Sequence, residues 1–534
     1  MKKFFVTIIA LSSFLSVYAG GLLTNTNQSV HFLRNPARGA SMEIDAVYTN
    51  PAGLAKLSTN GFHFSVNNQS AFQVRTITTT FEPFKGFGGE DTKVYEGKAS
   101  APIIPSLFAA YKMDKWVISL NLGVIGGGGK ATFDNGLPSF EAPISMLPLQ
   151  LSGNGLPTTQ YSLNAYMEGS SIIYDGQLGV TYAINDMFSV YAGGRLNFVN
   201  NSYVGHLKDI SFNPRHPMLN PTGEMMLATV FFTNAKNLAQ GTAASLQPII
   251  DLGAGGATLN DIIAMGQMTQ EQLAQLAGGL GLSADQAGGL TVNYVQGAYN
   301  QAAAVYEDSA NQTADKRIDC TQSGFGVTPI LGFNFNWEKL NVGVKYEFIT
   351  KIDIKNKTKI DDVNQFPDGV ETPNDIPAWL SIGAQYEVIP SVKVSAGYHH
   401  FFDSDAKMAK VKDPATGDLV GKQNFIDGGM NEYLLGVEWQ INPMFLVSAG
   451  GQVSRTAVTD LYQADMSYSL NSYSIGFGGA VNITEKIRVN LAYFFTNYEK
   501  WTKEFTNYNG LPLPGKDVFS RTNQVFGIGV DFRL

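Results

Sequence analysis

The chain has 534 residues, with 37 Lys+Arg against 45 Asp+Glu and a formal net charge of −8. This acidic balance offers no basic field to phosphates, so no nucleic-acid partner is expected. Cys320 is the single cysteine, which excludes an intramolecular disulfide and a cysteine-based metal site; no cofactor and no metal are expected.

In chain order, residues 1–19 read as a secretory signal peptide: Lys2 and Lys3, an apolar run from Phe4 to Leu15, then Val17-Tyr18-Ala19 as a small-residue cleavage site. No later apolar run reaches the ~18 residues of a membrane helix. The next stretch, 20–58, has neither strand nor long-helix periodicity. It holds Asn-Pro-Ala twice, at Asn35-Pro36-Ala37 and Asn50-Pro51-Ala52. Each proline fixes its own φ, lacks an N–H and pushes the preceding Asn toward extended geometry. Such a segment is a compact irregular plug or a loose tail. Its small residues, such as Gly39, Ala40, Ser41 and Gly53, suit tight packing inside something else, and the strands downstream decide for the plug.

From Gly61 onward, runs of about ten or more residues alternate apolar with polar or small side chains. They pair across short turns at Met113-Asp114-Lys115, Asn185-Asp186, Glu338-Lys339, Pro390-Ser391, Asn442-Pro443 and Thr484-Glu485-Lys486. Fourteen strands are expected near 61–81, 104–113, 116–124, 171–184, 188–208, 323–337, 340–360, 378–389, 392–406, 432–442, 445–458, 470–484, 487–504 and 521–534. An even number, with short turns on one side and long loops on the other, is the pattern of an all-β, fourteen-stranded antiparallel transmembrane β-barrel, here over 59–534.

Charge tests the alternation. Ile487, Val489, Leu491, Tyr493 and Phe495 share a face opposite Arg488, and Leu340, Val342, Val344, Tyr346 and Phe348 share one opposite Lys345 and Glu347. The same split places Arg195, Glu387, Lys393, Glu438, Asp531 and Arg533 away from their strands' apolar faces. A Lys or Arg facing lipid at mid-membrane costs roughly 2–4 kcal/mol, so several misplaced ones would erase a typical stability of ~5–15 kcal/mol. A secreted β-sandwich or solenoid would instead have polar outward faces and unsorted turns. The final strand, with Phe526, Ile528, Val530, Phe532 and Leu534 alternating, has the form that barrel-assembly machinery reads.

Two connections are long, 125–170 and 211–322. The first carries Leu147, Leu149 and Leu151. The second opens with Met225, Met226, Leu227, Val230, Phe231 and Phe232, which serve either as the loop's own core or as a surface for an apolar ligand. It also contains helix signals: Thr269-x-x-Gln272 and Ser283-x-x-Gln286 have the capping-box spacing, and Gln296–Ser309 is rich in Ala and Gln. Gly126-Gly127-Gly128-Gly129, after the third strand, is either a flexible start to the first loop or a bend that leaves backbone unpaired.

Catalytic patterns are missing. Gly126–Lys130 fails as a phosphate loop because Val124 and Ala131 stand where Gly and Ser or Thr are needed. His399 and His400 point to opposite faces of a strand. No H-E-x-x-H or G-x-S-x-G occurs, and none of the six histidines falls in a recognisable motif, so no enzyme is expected.

The plug-like segment with Ala46-Val47-Tyr48-Thr49-Asn50-Pro51-Ala52-Gly53-Leu54, followed by fourteen strands with two long loops, resembles the FadL family of outer-membrane hydrophobe transporters. The resemblance implies an N-terminal hatch (20–58) filling the lumen of a barrel in the outer membrane of a Gram-negative bacterium. It further implies capture of a long-chain fatty acid or similar hydrophobic small molecule by extracellular loops, and release through a lateral gap in the third strand. On this chain the groove would use Leu147, Leu149, Leu151, Met226, Phe231 and Phe232. The hatch and gate would use Asn50, Pro51, Ala52, Gly126, Gly127 and Gly128. The expected partners are the lipid bilayer, the hydrophobe and the assembly machinery, and a monomer is expected. A general porin for polar solutes would need an open, charge-lined lumen; a surface adhesin would use the longest loop as a platform.

Overall fold

Alternation of period two along every segment yields an antiparallel sheet closed on itself. The computed structural model describes Leu22 and residues 27–534; the expected signal peptide lies outside the described residues. The strands are β1 (Gly61–Phe81), β2 (Thr92–Met113), β3 (Trp116–Phe133), β4 (Tyr161–Ala183), β5 (Phe188–Phe212), β6 (Lys316–Trp337) and β7 in two pieces (Leu340–Glu347, Asp353–Asp361). After these come β8 (Trp379–Ile389, preceded by Glu371–Pro373), β9 (Val392–Phe401), β10 (Asn431–Gln440), β11 (Phe445–Arg455), β12 (Ser472–Asn482), β13 (Ile487–Tyr498, continued by Trp501–Phe505) and β14 (Gly515–Arg533). Closure comes from β1, which pairs with β2 from Gly61↔Lys112 and with β14 from His63↔Arg533. A closed sheet leaves no edge of unpaired backbone to face lipid.

The outward face is apolar: Ile118, Leu122, Leu178, Ile475, Phe477, Leu491 and Ile528 are all exposed. Aromatic pairs gather near the short turns, Phe62 with Tyr111 (ring centroids 4.4 Å apart) and Trp116 with Tyr182 (4.5 Å), as in a girdle at a membrane interface. Arg195, Lys345, Glu347, Glu438 and Asp531 are buried in the lumen, on the side that the alternation assigns them.

β2, β4, β5 and β6 run to 22, 23, 25 and 22 residues, about twice the ~9–11 needed to cross a bilayer. Their outer halves stand above it and show exposed charges such as Glu96 and Lys98 on β2. Apolar alternation stops where the lipid stops, so the sequence placed the loops at 125–170 and 211–322. The strands carry on, and the connections are 134–160 and 213–315.

Short helices fill the hatch, α1 (Val30–Arg34) and α2 (Ala46–Thr49), and the first long loop, α3 (Pro138–Ser145) and α4 (Leu147–Gly153). The second long loop is helical: α5 (Ala228–Ser245), α6 (Gln247–Ile249), α7 (Leu259–Ala264), α8 (Gln270–Gly279), α9 (Ala284–Gly288) and α10 (Val292–Gln312). Thr269 with Gln272 and Ser283 with Gln286 form reciprocal capping boxes at α8 and α9. This insert has its own core, including Leu259, Ile262, Leu273, Val292, Val295 and Tyr299.

The sorting of turns predicts that epitope tags at Asp114, Asp186 or Glu338 are shielded on intact cells, while tags within Gly266–Ala287 are labelled. Surface labelling of whole cells checks this, and the reverse pattern would invert the barrel.

Candidate functional site

Polar side chains that the alternation turns inward are cut off from bulk water, so each needs a partner. The hatch provides many of them. His31 Nε2 lies 2.9 Å from Asp531 Oδ2 on β14. Arg34 pairs with Glu438 on β10. Arg38 donates to Asp45 at 2.7 Å and to Glu43 at 2.8 Å, and Arg488 on β13 donates to Glu43 at 2.7 Å. On the other side of the lumen Arg195 forks onto Glu347 at 2.6 and 2.9 Å, and Lys345 donates to the carbonyl of Tyr48 at 2.6 Å.

Both Asn-Pro-Ala motifs press on wall glycines. Asn50 Nδ2 donates to Asn334 Oδ1 on β6 at 2.8 Å and to the Ser41 carbonyl at 3.0 Å. Thr181 and Ser189 donate to the carbonyls of Pro51 and Ala52, each at 2.7 Å. A Cβ at Gly343 would meet Asn50 and Gly39, one at Gly436 would collide with Asn35, and one at Gly450 would lie 2.7 Å from Pro36 Cδ. Bare backbone at these wall positions admits the plug. His31, Glu43 and Asp45 bring ligand atoms within 4.8 Å of one another. Arg38 and Arg488 already occupy the carboxylate oxygens, so these donors are committed to locking the hatch.

Above the hatch lies a cavity of ≈ 290 Å³. Leu22, Asn27, Gln28, Phe32 and Leu33 form its floor, and the loops on the long-loop side roof it through Leu137, Ile376, Met408, Met466 and Leu470. Phe133, Met167, Tyr203 and Tyr468 line its sides, as do Arg75, Arg521 and Lys422. Burial, and then the like charge of Lys503, pull the Lys422 ammonium down to about 7.

Gly127 and Gly129 also line this cavity, and there the wall is interrupted. β2 and β3 pair from Met113↔Trp116 to Leu107↔Leu122 and again from Ala99↔Ala131, but not between. Two sequence features account for the break. Pro102 and Pro105 on β2 have no N–H to offer, and β2 bulges there against β1, pairing at Ala71↔Ala101 and Gln69↔Ile104. On β3, Val124 pairs with Tyr174 and Gly129 with Ser171, so β3 carries two residues more than β4 over this span. Gly127 has φ +105 and Gly129 φ +67, and a Cβ at Gly127 would collide with the Ser171 carbonyl. Behind the interruption sits Gln28, whose carbonyl accepts from Ser106 Oγ at 3.0 Å.

The structure thus places Gly126, Gly127 and Gly128 in a strand beside the cavity. The wall partners of Asn50, Pro51 and Ala52 lie on β6, β4 and β5, while Gln28, which the sequence did not single out, backs the break. Leu147, Leu151, Phe231 and Phe232 are buried in the core of the loop cap, and Leu149 is exposed. Met226 lines an outer groove of ≈ 500 Å³ with Met225, Leu227, Phe87 and Tyr161. Pro102 and Pro105 were the legible signal for the interruption, because a proline pair argues against regular pairing on both sides of a strand.

No family model matches the sequence, and no curated protein matches it either. In fold, the chain is similar to the crystal structure of a Pseudomonas aeruginosa FadL homologue, at TM-score 0.57 and 12% identity over 96% of this chain and 99% of that one. The Ralstonia pickettii toluene transporter TbuX (TM-score 0.48, 12% identity, 95% and 100% covered) and the Pseudomonas putida toluene transporter TodX (0.47, 14%, 96% and 99%) align less closely. At such identities the likeness is one of fold.

Glu438 bridges two hatch arginines to the wall. Glu438→Ala leaves buried positive charge uncompensated, which costs about 3–5 kcal/mol. The expected result is an earlier thermal transition in heat-modifiable gel migration, with Glu438→Gln falling between the two.

Proposed function

We propose that this chain is a FadL-type transporter of the Gram-negative outer membrane that takes up long-chain fatty acids or similar hydrophobic compounds without catalysing a reaction. The observation that carries the reading is the unpaired stretch between β2 and β3 opening beside a cavity whose lining includes Phe133, Met167 and Tyr203. Burial is worth about 0.8 kcal/mol per CH₂, so a chain of ~14 methylenes is worth roughly 11 kcal/mol and does not cross an open aqueous pore. It needs apolar surface along the whole route. The groove at Met225–Leu227 receives it, the cavity holds it, and the break in the wall releases it sideways into lipid, beside residues 27–28 of the hatch. Leu147, Leu151, Phe231 and Phe232 keep the cap in shape rather than touching the hydrophobe. A general porin fits less well, because a hatch seated by buried ion pairs closes the lumen to polar solutes.

Two experiments test this. Organic extraction of the purified protein, followed by mass spectrometry, should yield a stoichiometric hydrophobe; repeated extraction of none would count against the reading. Deleting Gly127 and Gly128 removes the two residues that β3 has in excess of β4 and lets regular pairing resume. The deletion variant should still show heat-modifiable migration while hydrophobe uptake falls about tenfold or more, an effect of the size expected when a route is closed by ~1.4 kcal/mol or more. Uptake at the wild-type rate in a folded deletion variant would remove the wall break from the route.

A further inference from the structure

At hatch level each lumen arginine has a carboxylate: Arg34 and Arg38 have Glu438, Arg195 has Glu347 and Arg488 has Glu43. In the cavity above, the pattern breaks. Arg75 on β1 and Arg521 on β14 are Cα partners across the seam that closes the barrel, and both side chains line the cavity. Like charges directly opposite each other on a sheet repel. Among the described residues neither arginine is ion-paired with a carboxylate, and the Nε of each is buried without a hydrogen-bond partner.

What they do touch is aromatic. Arg75 lies 5.0 Å from the Tyr468 ring centroid, and Arg521 lies 5.1 Å from the same ring and 5.0 Å from that of Tyr498. Arg521 Nη2 also donates to the Tyr468 carbonyl at 3.1 Å. Lys422 also lines the cavity and donates to the Ser467 carbonyl at 3.1 Å. The nearby acids are engaged elsewhere. Asp375 accepts from the amides of Ile352 (3.0 Å) and Lys407 (3.2 Å), and Asp465 from those of Ser139 (3.0 Å) and Met466 (2.8 Å).

We propose that Arg75 and Arg521 form the head-group site for a carboxylate amphiphile, whose apolar tail lies along Phe133, Met167 and Tyr203 toward Gly127. This deepens the uptake reading and rests on it. Two guanidiniums offer planar forks that match the two oxygens of one carboxylate. An anion between them turns a repulsive pair into a bridged one, whereas a neutral hydrocarbon would leave both charges desolvated and opposed, so the site discriminates by charge.

The test uses the full chain in a nonionic maltoside detergent, with cis-parinarate and its methyl ester as fluorescent probes of equal tail and different head. The wild-type protein should bind the acid roughly 10- to 100-fold more tightly than the ester, the range of charge-assisted hydrogen bonds in a protected site. R75Q/R521Q should lose that preference and keep its affinity for the ester; R75K/R521K should retain part of it. Equal binding of acid and ester by the wild type overturns the head-group site and leaves hydrophobe uptake standing. A preference that survives in R75Q/R521Q does the same. Failure of both probes to bind overturns the site together with the uptake reading.

Discussion

A barrel in lipid must satisfy its backbone without water and its inward side chains without bulk solvent, and that double constraint organises this molecule. Closure of β1 on β14 meets the first part. The wall meets the second only for Arg195 and Lys345, which pair with Glu347; Glu438, Asp531 and Arg488 take their ion-pair partners from the hatch. The hatch answers them with His31, Arg34, Arg38, Glu43 and the Tyr48 carbonyl. Removing either partner of such a pair leaves an uncompensated buried charge, so the plug and the wall specify each other.

The exceptions to that constraint coincide in space. The wall leaves backbone unpaired where Pro102 and Pro105 face the extra residues of β3, and the lumen leaves guanidiniums without carboxylates at Arg75 and Arg521. Both border one cavity. At hatch level the lumen arginines are instead matched to carboxylates. The proposed route and head-group site, one apolar and the other cationic, match an amphiphile with one polar end.

Much of the barrel was legible because its determinants are local. Alternation, short turns and the placement of Lys345, Glu347 and Arg488 each depend on a handful of adjacent residues, as do the Thr269 and Ser283 capping boxes. Three features were not legible, for physical reasons. Strand continuation to Phe133 and back from Tyr161 lies above the lipid, where an outward polar residue carries no penalty and the alternation loses its contrast. The role of Gln28 depends on which way the hatch threads through the lumen, a long-range outcome that Asn50-Pro51-Ala52 does not encode. The opposition of Arg75 and Arg521 appears only once the first and last strands pair in register; neither residue has a marked local context. The glycine run was visible as a weak point, but its partner prolines on β2 were needed to tell a wall break from a loop hinge.

The hatch is held unevenly, and the difference has a direction. From Val30 to Leu57 it is fixed by buried ion pairs and by wall glycines that fit only the seated backbone. Residues 27–29 are held by side-chain amides and hydroxyls: Gln69 Nε2 to the carbonyls of Asn27 and Ser29 at 3.3 and 3.4 Å, and Ser106 Oγ to that of Gln28 at 3.0 Å. Neutral hydrogen bonds are worth a net ~0.5–1.5 kcal/mol each, against about 3–5 kcal/mol for breaking a buried ion pair. The piece of the hatch that faces both the cavity and the interrupted wall is therefore the piece that yields at least cost. On the proposed uptake route, that is where room for a hydrocarbon tail is made, while the charged seat below stays closed to water and ions.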